Sequence, residues 1–187
     1  MELTIEQLGA LEKYSPSVNN VKHAMQRGLS FDQCIEVAKA NGDPYEVARS
    51  IGEAFTFEMA MSVVKEGLEP RWASQGCRAG MKLDTMLGQS PVPGLLSEVA
   101  SVVLQRPSQL SMDVVSHYDF TYGVTRCLAG WAIKLHPQGM SLKQTVGWEI
   151  AGRSLLGRDA AAHFADSNRE ALAFLEKVAA KTVETVQ

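Results

Sequence analysis

Apolar and polar residues recur with a helical period along most of the chain, and the first half repeats its pattern at a fixed interval. Three segments, 3–13, 29–39 and 55–65, each carry an apolar residue, a hydroxyl residue, an apolar residue and a carboxylate, followed by helical spacing up to a lysine. The segments start at positions 3, 29 and 55, so the pattern has a period of 26, which we call the repeat interval. A degraded fourth copy starts at Met81. Such a period is typical of stacked helical hairpins.

Capping residues predict where these helices begin. Thr4, Ser30 and Thr56 occupy equivalent N-cap positions, and each is followed by a carboxylate in the first turn, which suits the helix dipole. Second helices are expected over 17–27, 43–53 and 70–79, in the same register. Because each helix has only about ten residues, it must stack on its neighbours to be stable.

The stretch QSPVPG, residues 89–94, interrupts the helical pattern, since two prolines and a glycine cannot continue a helix. We therefore predict a helical-repeat subdomain over residues 1–88 and a C-terminal helical bundle over 95–187. No segment shows the period-two pattern of a β-strand. The predicted fold class is all-α throughout.

Composition narrows the classes of function. The 187 residues carry a net charge of −3, which argues against nucleic acid as the main partner. The three cysteines are far apart in sequence, as expected for free thiols in a reducing cytoplasm. The N-terminal segment lacks the apolar core of a signal peptide, and no apolar run is long enough to cross a membrane. No sequence motif indicates a metal or cofactor.

One stretch, HYDFTYGVTRCLAGWAIKLHP at residues 117–137, contains a candidate catalytic set. Cys127 is predicted in the first turn of a helix, where the dipole lowers a thiol pKa, with His117 as base and Asp119 as its orienting group. The alternative is packing, because Cys127, Gly130 and Trp131 share one helix face. We favour the packing interpretation. The histidines and cysteines follow no metal-ligand spacing.

Two other groups of residues are candidate binding surfaces. Trp72 lies with Arg71 and Arg78 on the helix predicted to follow Pro70, and the three form a candidate interaction patch. The second half is locally basic, which leaves nucleic-acid binding as an alternative; its cations are Arg126, Lys134, Lys143, Arg153 and Arg158.

The region around Cys127 also resembles small uncharacterised proteins of bacteria and their phages that carry a Cys-x-Ala-Gly-Trp-Ala motif followed by a Leu-Leu-Gly helix. The matching residues here are Gly123, Val124 or Thr125, Cys127, Ala129, Gly130, Trp131, Ala132, Leu155, Leu156, Gly157, His163, Phe164 and Asn168. The likeness covers residues 100–175. It implies common ancestry but no activity, since none is assigned to those proteins. Tyr122 replaces their first cysteine, so this chain lacks a two-cysteine pair.

From these observations we predict a non-catalytic protein–protein interaction module. The resemblance extends this to an accessory or inhibitory factor of bacterial or phage origin. The alternatives are a cysteine-dependent hydrolase or transferase that uses Cys127 with His117, and a nucleic-acid binder that uses the basic second half. The expected partner is another protein, and the oligomeric state stays open.

Overall fold

The computed structural model describes residues 3–14, 16–113, 117–119 and 123–184, and the fold is all-α, as the periodicity predicts. The chain forms two compact units, Met1–Leu83 and Asp84–Gln187. Residues 88–94 belong to the second unit, in which the Val92 N–H donates to the Leu155 carbonyl and the Arg158 N–H to the Gly88 carbonyl. Among the described residues, no helix combines the length and apolar character needed to cross a bilayer.

The first unit consists of three helical hairpins. Its helices are α1 (Ile5–Glu12), α2 (Val18–Gln26), α3 (Phe31–Lys39), α4 (Pro44–Ser50), α5 (Phe57–Lys65) and α6 (Pro70–Arg78). The first helix of each hairpin begins at residue 5, 31 or 57, and the second at residue 18, 44 or 70. Both sets of starts are therefore evenly spaced along the chain, by the repeat interval.

Local hydrogen bonds explain these helix starts. Thr4, Ser30 and Thr56 are N-caps whose hydroxyl oxygens accept from backbone N–H groups three residues later, at 3.2, 3.1 and 3.4 Å. Asp43 caps α4 by accepting from the Tyr45 N–H at 2.9 Å. Each cap satisfies a donor that the helix itself leaves unpaired, which stabilises a helix by about 1 kcal/mol.

The second helices pack against one another, α2 on α4 and α4 on α6, while α3 and α5 pack between them. Fully buried side chains such as Val21, Val47 and Val63 form the core of this unit, and each contributes about 1.5–3 kcal/mol. The turn before α4 is closely packed, because a Cβ on Gly42 would lie 2.6 Å from Val64 Cγ1. At the free edge of the stack, α1 leaves Ile5 90% exposed.

The second unit is a helical bundle. After α7 (Leu83–Met86) come α8 (Leu95–Gln105), α9 (Leu128–Leu135), α10 (Gly139–Leu156), α11 (Arg158–Ala161) and α12 (Asn168–Glu184). Between α8 and α9, a short antiparallel ribbon pairs β1 (His117–Asp119) with β2 (Gly123–Thr125), so His117 lies opposite Thr125. These strands are too short to show a period-two pattern in the sequence. In the core, α9 packs on α10, and α8 packs on α9 and α12.

Candidate functional site

The predicted interaction patch lies on α6 of the first unit. Pro70 starts this helix at its first position, and Arg71 follows on an exposed surface. The Arg71 guanidinium lies 4.7 Å from the centre of the half-buried Trp72 ring, and its Nε donates to Glu69 Oε2 at 3.0 Å. The structure therefore joins Arg71 and Trp72 through a cation–π contact, which is worth about 0.5–1 kcal/mol at an exposed site.

Arg78 lies at the other end of α6 and shares a cleft with Arg71. This cleft, between α4 and α6, has a volume of about 240 Å³, and we call it the arginine cleft. Its lining residues are Glu46, Arg49 and Ser50 from α4, and Arg71, Ser74, Gln75 and Arg78 from α6. The four α6 residues recur at the spacing of one helix face, so the helix presents them together.

The floor of the arginine cleft is polar. Ser74 and Ser50 are 1% and 2% exposed, and the Ser74 hydroxyl donates to the Ser50 carbonyl oxygen at 2.7 Å. This bond joins α4 to α6 beneath the arginines. A buried hydroxyl that finds such an acceptor avoids the desolvation cost of an unpaired polar group.

Sequence reasoning missed the part of this surface that lies on α4. Arg49 Nη1 donates to Glu46 Oε1 at 3.3 Å, and its guanidinium lies 5.5 Å from the centre of the Tyr45 ring. On the same ring, the Arg27 guanidinium lies at 5.7 Å. The repeat interval could have indicated this neighbourhood, since it predicts that α2, α4 and α6 stack side by side.

Two further grooves lie where the hairpin turns meet. One groove, of about 240 Å³, is lined by Pro16, Ser17, Asn20, Asn41, Gly42, Asp43 and Pro44. The other groove has a volume of about 600 Å³. When each lining position of the first groove is shifted by the repeat interval, the resulting residue lines the second groove. These residues are Gly42, Asp43, Glu46, Gly67, Leu68, Glu69 and Pro70. Equivalent positions therefore line equivalent surfaces along this edge of the unit.

The candidate nucleophile, Cys127, is buried in the second unit. It is the N-cap of α9 rather than a first-turn residue, and its Sγ accepts from the Gly130 N–H at 3.4 Å. Burial raises the pKa of the thiol, and this effect exceeds the lowering by the backbone N–H groups and by the charge of Lys143. The predicted lowering of the pKa is therefore wrong, because only 4% of Cys127 is exposed.

The partners proposed for Cys127 cannot be placed beside it. The side chains of His117 and Asp119 lie outside the described part of the chain, so the catalytic set stays a prediction. Trp131, on the same helix, is buried as expected, and its Nε1 has no hydrogen-bond acceptor among the described residues. The Arg126 guanidinium lies 5.2 Å from the centre of the Trp131 ring.

The basic residues of the second half do not form one exposed face. Arg153 is 7% exposed, and its Nε donates to the Leu87 carbonyl at 3.0 Å. Arg126 is half-buried against Trp131, whereas Lys134 and Arg158 are exposed. Within the described ranges, no group of three histidine, cysteine or acidic side chains could hold a metal ion.

Together, the fold and these surfaces define an all-α protein with a helical-hairpin unit that carries an arginine-rich cleft. No protein-family model, curated protein or solved structure matches the chain. The resemblance of the Cys127 region to bacterial and phage proteins thus stays a prediction.

Proposed function

We propose that the chain is a non-catalytic protein–protein interaction module whose first unit carries the binding surface. The observation behind this proposal is one band of cations and aromatic rings that extends from the C-cap of α2 across α4 to α6. It runs from Arg27 over Tyr45 to Arg49, and then through the arginine cleft to Arg71 and Trp72. Arginine, tyrosine and tryptophan are the residue types that dominate the binding energy of protein interfaces.

The surroundings of Cys127 also support a non-catalytic function. A nucleophilic cysteine reacts as the thiolate, and burial of Cys127 raises its pKa and restricts access to Sγ. Stacked helical hairpins, in turn, provide extended surfaces on which a partner can dock. We further propose, on the resemblance of the Cys127 region, that the partner belongs to a bacterial or phage system in which the chain acts as an accessory or inhibitory factor.

Site-specific photo-crosslinking tests this function in cells that produce the protein naturally. A photoreactive residue replaces Gln75 in the arginine cleft, Glu36 on α3, or Met140 on α10, and all three positions are exposed. We expect one protein adduct of constant mass at Gln75 and none at Glu36, which is the matched position in the same unit. If no position gives a saturable adduct, the chain is not an interaction module.

A further inference from the structure

The arginine cleft concentrates positive charge that its own residues neutralise only in part. Arg49, Arg71 and Arg78 line it, and Glu46 is the one acidic lining residue among those that the structure describes. Arg49 is paired with Glu46, and Arg71 with Glu69 just outside the cleft. The side chain of Arg78 forms no hydrogen bond or ion pair with any residue in the described part of the chain.

The matching junction between α2 and α4 shows that stacking alone does not produce this charge. One repeat interval before Arg49, Arg71 and Arg78, the chain has His23, Tyr45 and Gly52. There the His23 and Tyr45 rings lie 5.8 Å apart and form an aromatic contact. At these equivalent positions the α2–α4 junction carries an aromatic pair, with Arg27 and Arg49 against the Tyr45 ring, whereas the α4–α6 junction carries three guanidinium groups.

The buried residues beneath the two junctions also differ in polarity, because they are apolar between α2 and α4 and polar between α4 and α6. Ala24 and Ala48, one repeat interval before Ser50 and Ser74, are both buried and offer only methyl groups. Under the arginine cleft, these methyl groups are replaced by the hydrogen-bonded serines. The serine hydroxyls are already bonded to backbone carbonyls within the unit, so the cations at the rim are the groups that make the α4–α6 junction suited to an anionic ligand.

We propose that the arginine cleft binds carboxylate side chains of an acidic segment of the partner protein; this inference rests on the proposed function. Its volume of about 240 Å³ lies below the range of about 300–1,000 Å³ of small-molecule pockets, so it fits side chains of a docked segment better than a metabolite. Guanidinium groups bind carboxylates through paired, charge-assisted hydrogen bonds. The Trp72 ring beside Arg71 supplies apolar contact for the flanking residues of the segment.

The same features disfavour a nucleic acid at this cleft. A phosphate backbone would pass the Glu46 and Glu69 carboxylates, which lie on the same surface as Arg49 and Arg71. The net charge of the whole chain is −3, so long-range attraction supports neither a nucleic acid nor an acidic peptide, and short-range contacts within the cleft decide the preference. A short run of glutamate or aspartate side chains can engage the guanidinium groups individually.

Fluorescence anisotropy with the full chain and a fluorescein-labelled decapeptide of alternating glutamate and glycine tests the proposal. We expect saturable binding that Arg78→Gln weakens by about tenfold or more, in line with the loss of a charged hydrogen bond. Arg78→Lys should bind with intermediate affinity, because it keeps the charge but not the two-pronged geometry. Lys22→Gln removes one positive charge from α2, outside the cleft, and should change the Kd less than twofold.

Three outcomes would overturn the proposal. They are no saturable peptide binding, equal weakening by Arg78→Gln and Lys22→Gln, and tighter binding of a single-stranded RNA decamer that also depends on Arg78. Circular dichroism confirms that each variant is folded, and an exposed side chain such as Arg78 can be replaced without disturbing the core. If the peptide does not bind but Gln75 gives a crosslinked adduct, the carboxylate proposal is rejected and the interaction function is retained. If no position gives an adduct, the interaction function itself is rejected.

Discussion

The contact between α9 and α10 leaves no room for a side chain at Gly152, so Gly152→Ala should destabilise the second unit. A Cβ at this position would lie 2.5 Å from the Cβ of Ala129 and 3.0 Å from Phe164 Cζ, where ordinary contacts are 3.4–4 Å. The Phe164 ring can shift by rotation, but the Ala129 methyl is fixed to the backbone of α9. Relief of the clash therefore requires the two helices to move apart by about 1 Å.

The expected cost follows from two opposing terms. Overpacking of a core costs about 1–3 kcal/mol, while alanine in place of glycine within a helix gains up to about 1 kcal/mol. Because the neighbouring methyl cannot rotate away, we expect a net loss of about 1–2 kcal/mol in the free energy of unfolding. For a unit of this size, such a loss lowers the Tm by about 5–15 °C.

Urea denaturation monitored by tryptophan fluorescence measures this effect in the second unit alone. In a Trp72→Phe background, the remaining tryptophans, Trp131 and Trp148, both lie in that unit. Gly9→Ala provides the matched control, since a Cβ on that helical glycine of α1 would have no described neighbour within 4 Å apart from the adjoining backbone of its own helix. We expect Gly9→Ala to leave the fluorescence transition unchanged.

A double mutant separates the clash from other consequences of the substitution. Ala129→Gly removes the methyl group that Gly152→Ala would strike, at the cost of helix propensity and a buried methyl. The double mutant should therefore be more stable than the sum of the two single changes predicts, by about 1 kcal/mol or more. Additive effects of the two substitutions, or a Gly152→Ala protein as stable as the parent, would refute the close packing of α9 on α10 at Ala129 and Gly152.

Two further predictions concern the cysteines. Iodoacetamide should label the half-exposed Cys77 in the native protein, whereas the buried Cys34 and Cys127 should react only as fast as the chain unfolds. Rapid labelling of Cys127 in the native protein would instead support the catalytic hypothesis. Burial raises the pKa of Cys34 from 9.0 to about 11, so between these values the native state keeps a proton that the unfolded chain releases. The free energy of unfolding should therefore fall as the pH rises through this window, more steeply than in Cys34→Ala, and equal slopes would contradict the assigned burial.

Sequence reasoning succeeded where the controlling interactions are local. The N-caps Thr4, Ser30 and Thr56 bond to backbone groups within three residues, so sequence spacing suffices to predict them. The start of α4 follows in the same way from Asp43 and the fixed φ of Pro44.

Sequence reasoning failed for features that depend on contacts between distant parts of the chain. The pKa of Cys127 is raised by burial, which results from tertiary packing. The position of Cys127 at the start of a helix does not predict that burial. Similarly, α10 is interrupted at Gly147, whose φ of 74° lies in the left-handed region, although the surrounding sequence keeps a helical pattern. Trp148 follows this break and is 38% exposed, against the usual expectation for a tryptophan in an amphipathic helix.

The arginine cleft contains residues that the sequence places together and one residue that only the tertiary structure brings to them. Arg71, Trp72 and Arg78 could be predicted because they lie on one helix, whereas Arg49 comes from another hairpin. Only the stacking of α4 on α6 brings Arg49 to Arg71 and Arg78, and the sequence offers the repeat interval as the sole indication of that stacking.

The grooves at the hairpin turns support the inference that the three hairpins are copies of one unit, since their lining positions coincide after a shift by the repeat interval. Their side chains nevertheless differ in charge. In the first groove, Asn20 Nδ2 donates to Asp43 Oδ2 at 2.8 Å. In the second, the equivalent positions are Glu46 and Glu69, two carboxylates that would repel each other were each not paired with an arginine. The helix starts recur at the repeat interval while the charges do not, so the side chains, and not the shape of the stack, distinguish the α4–α6 junction from the α2–α4 junction.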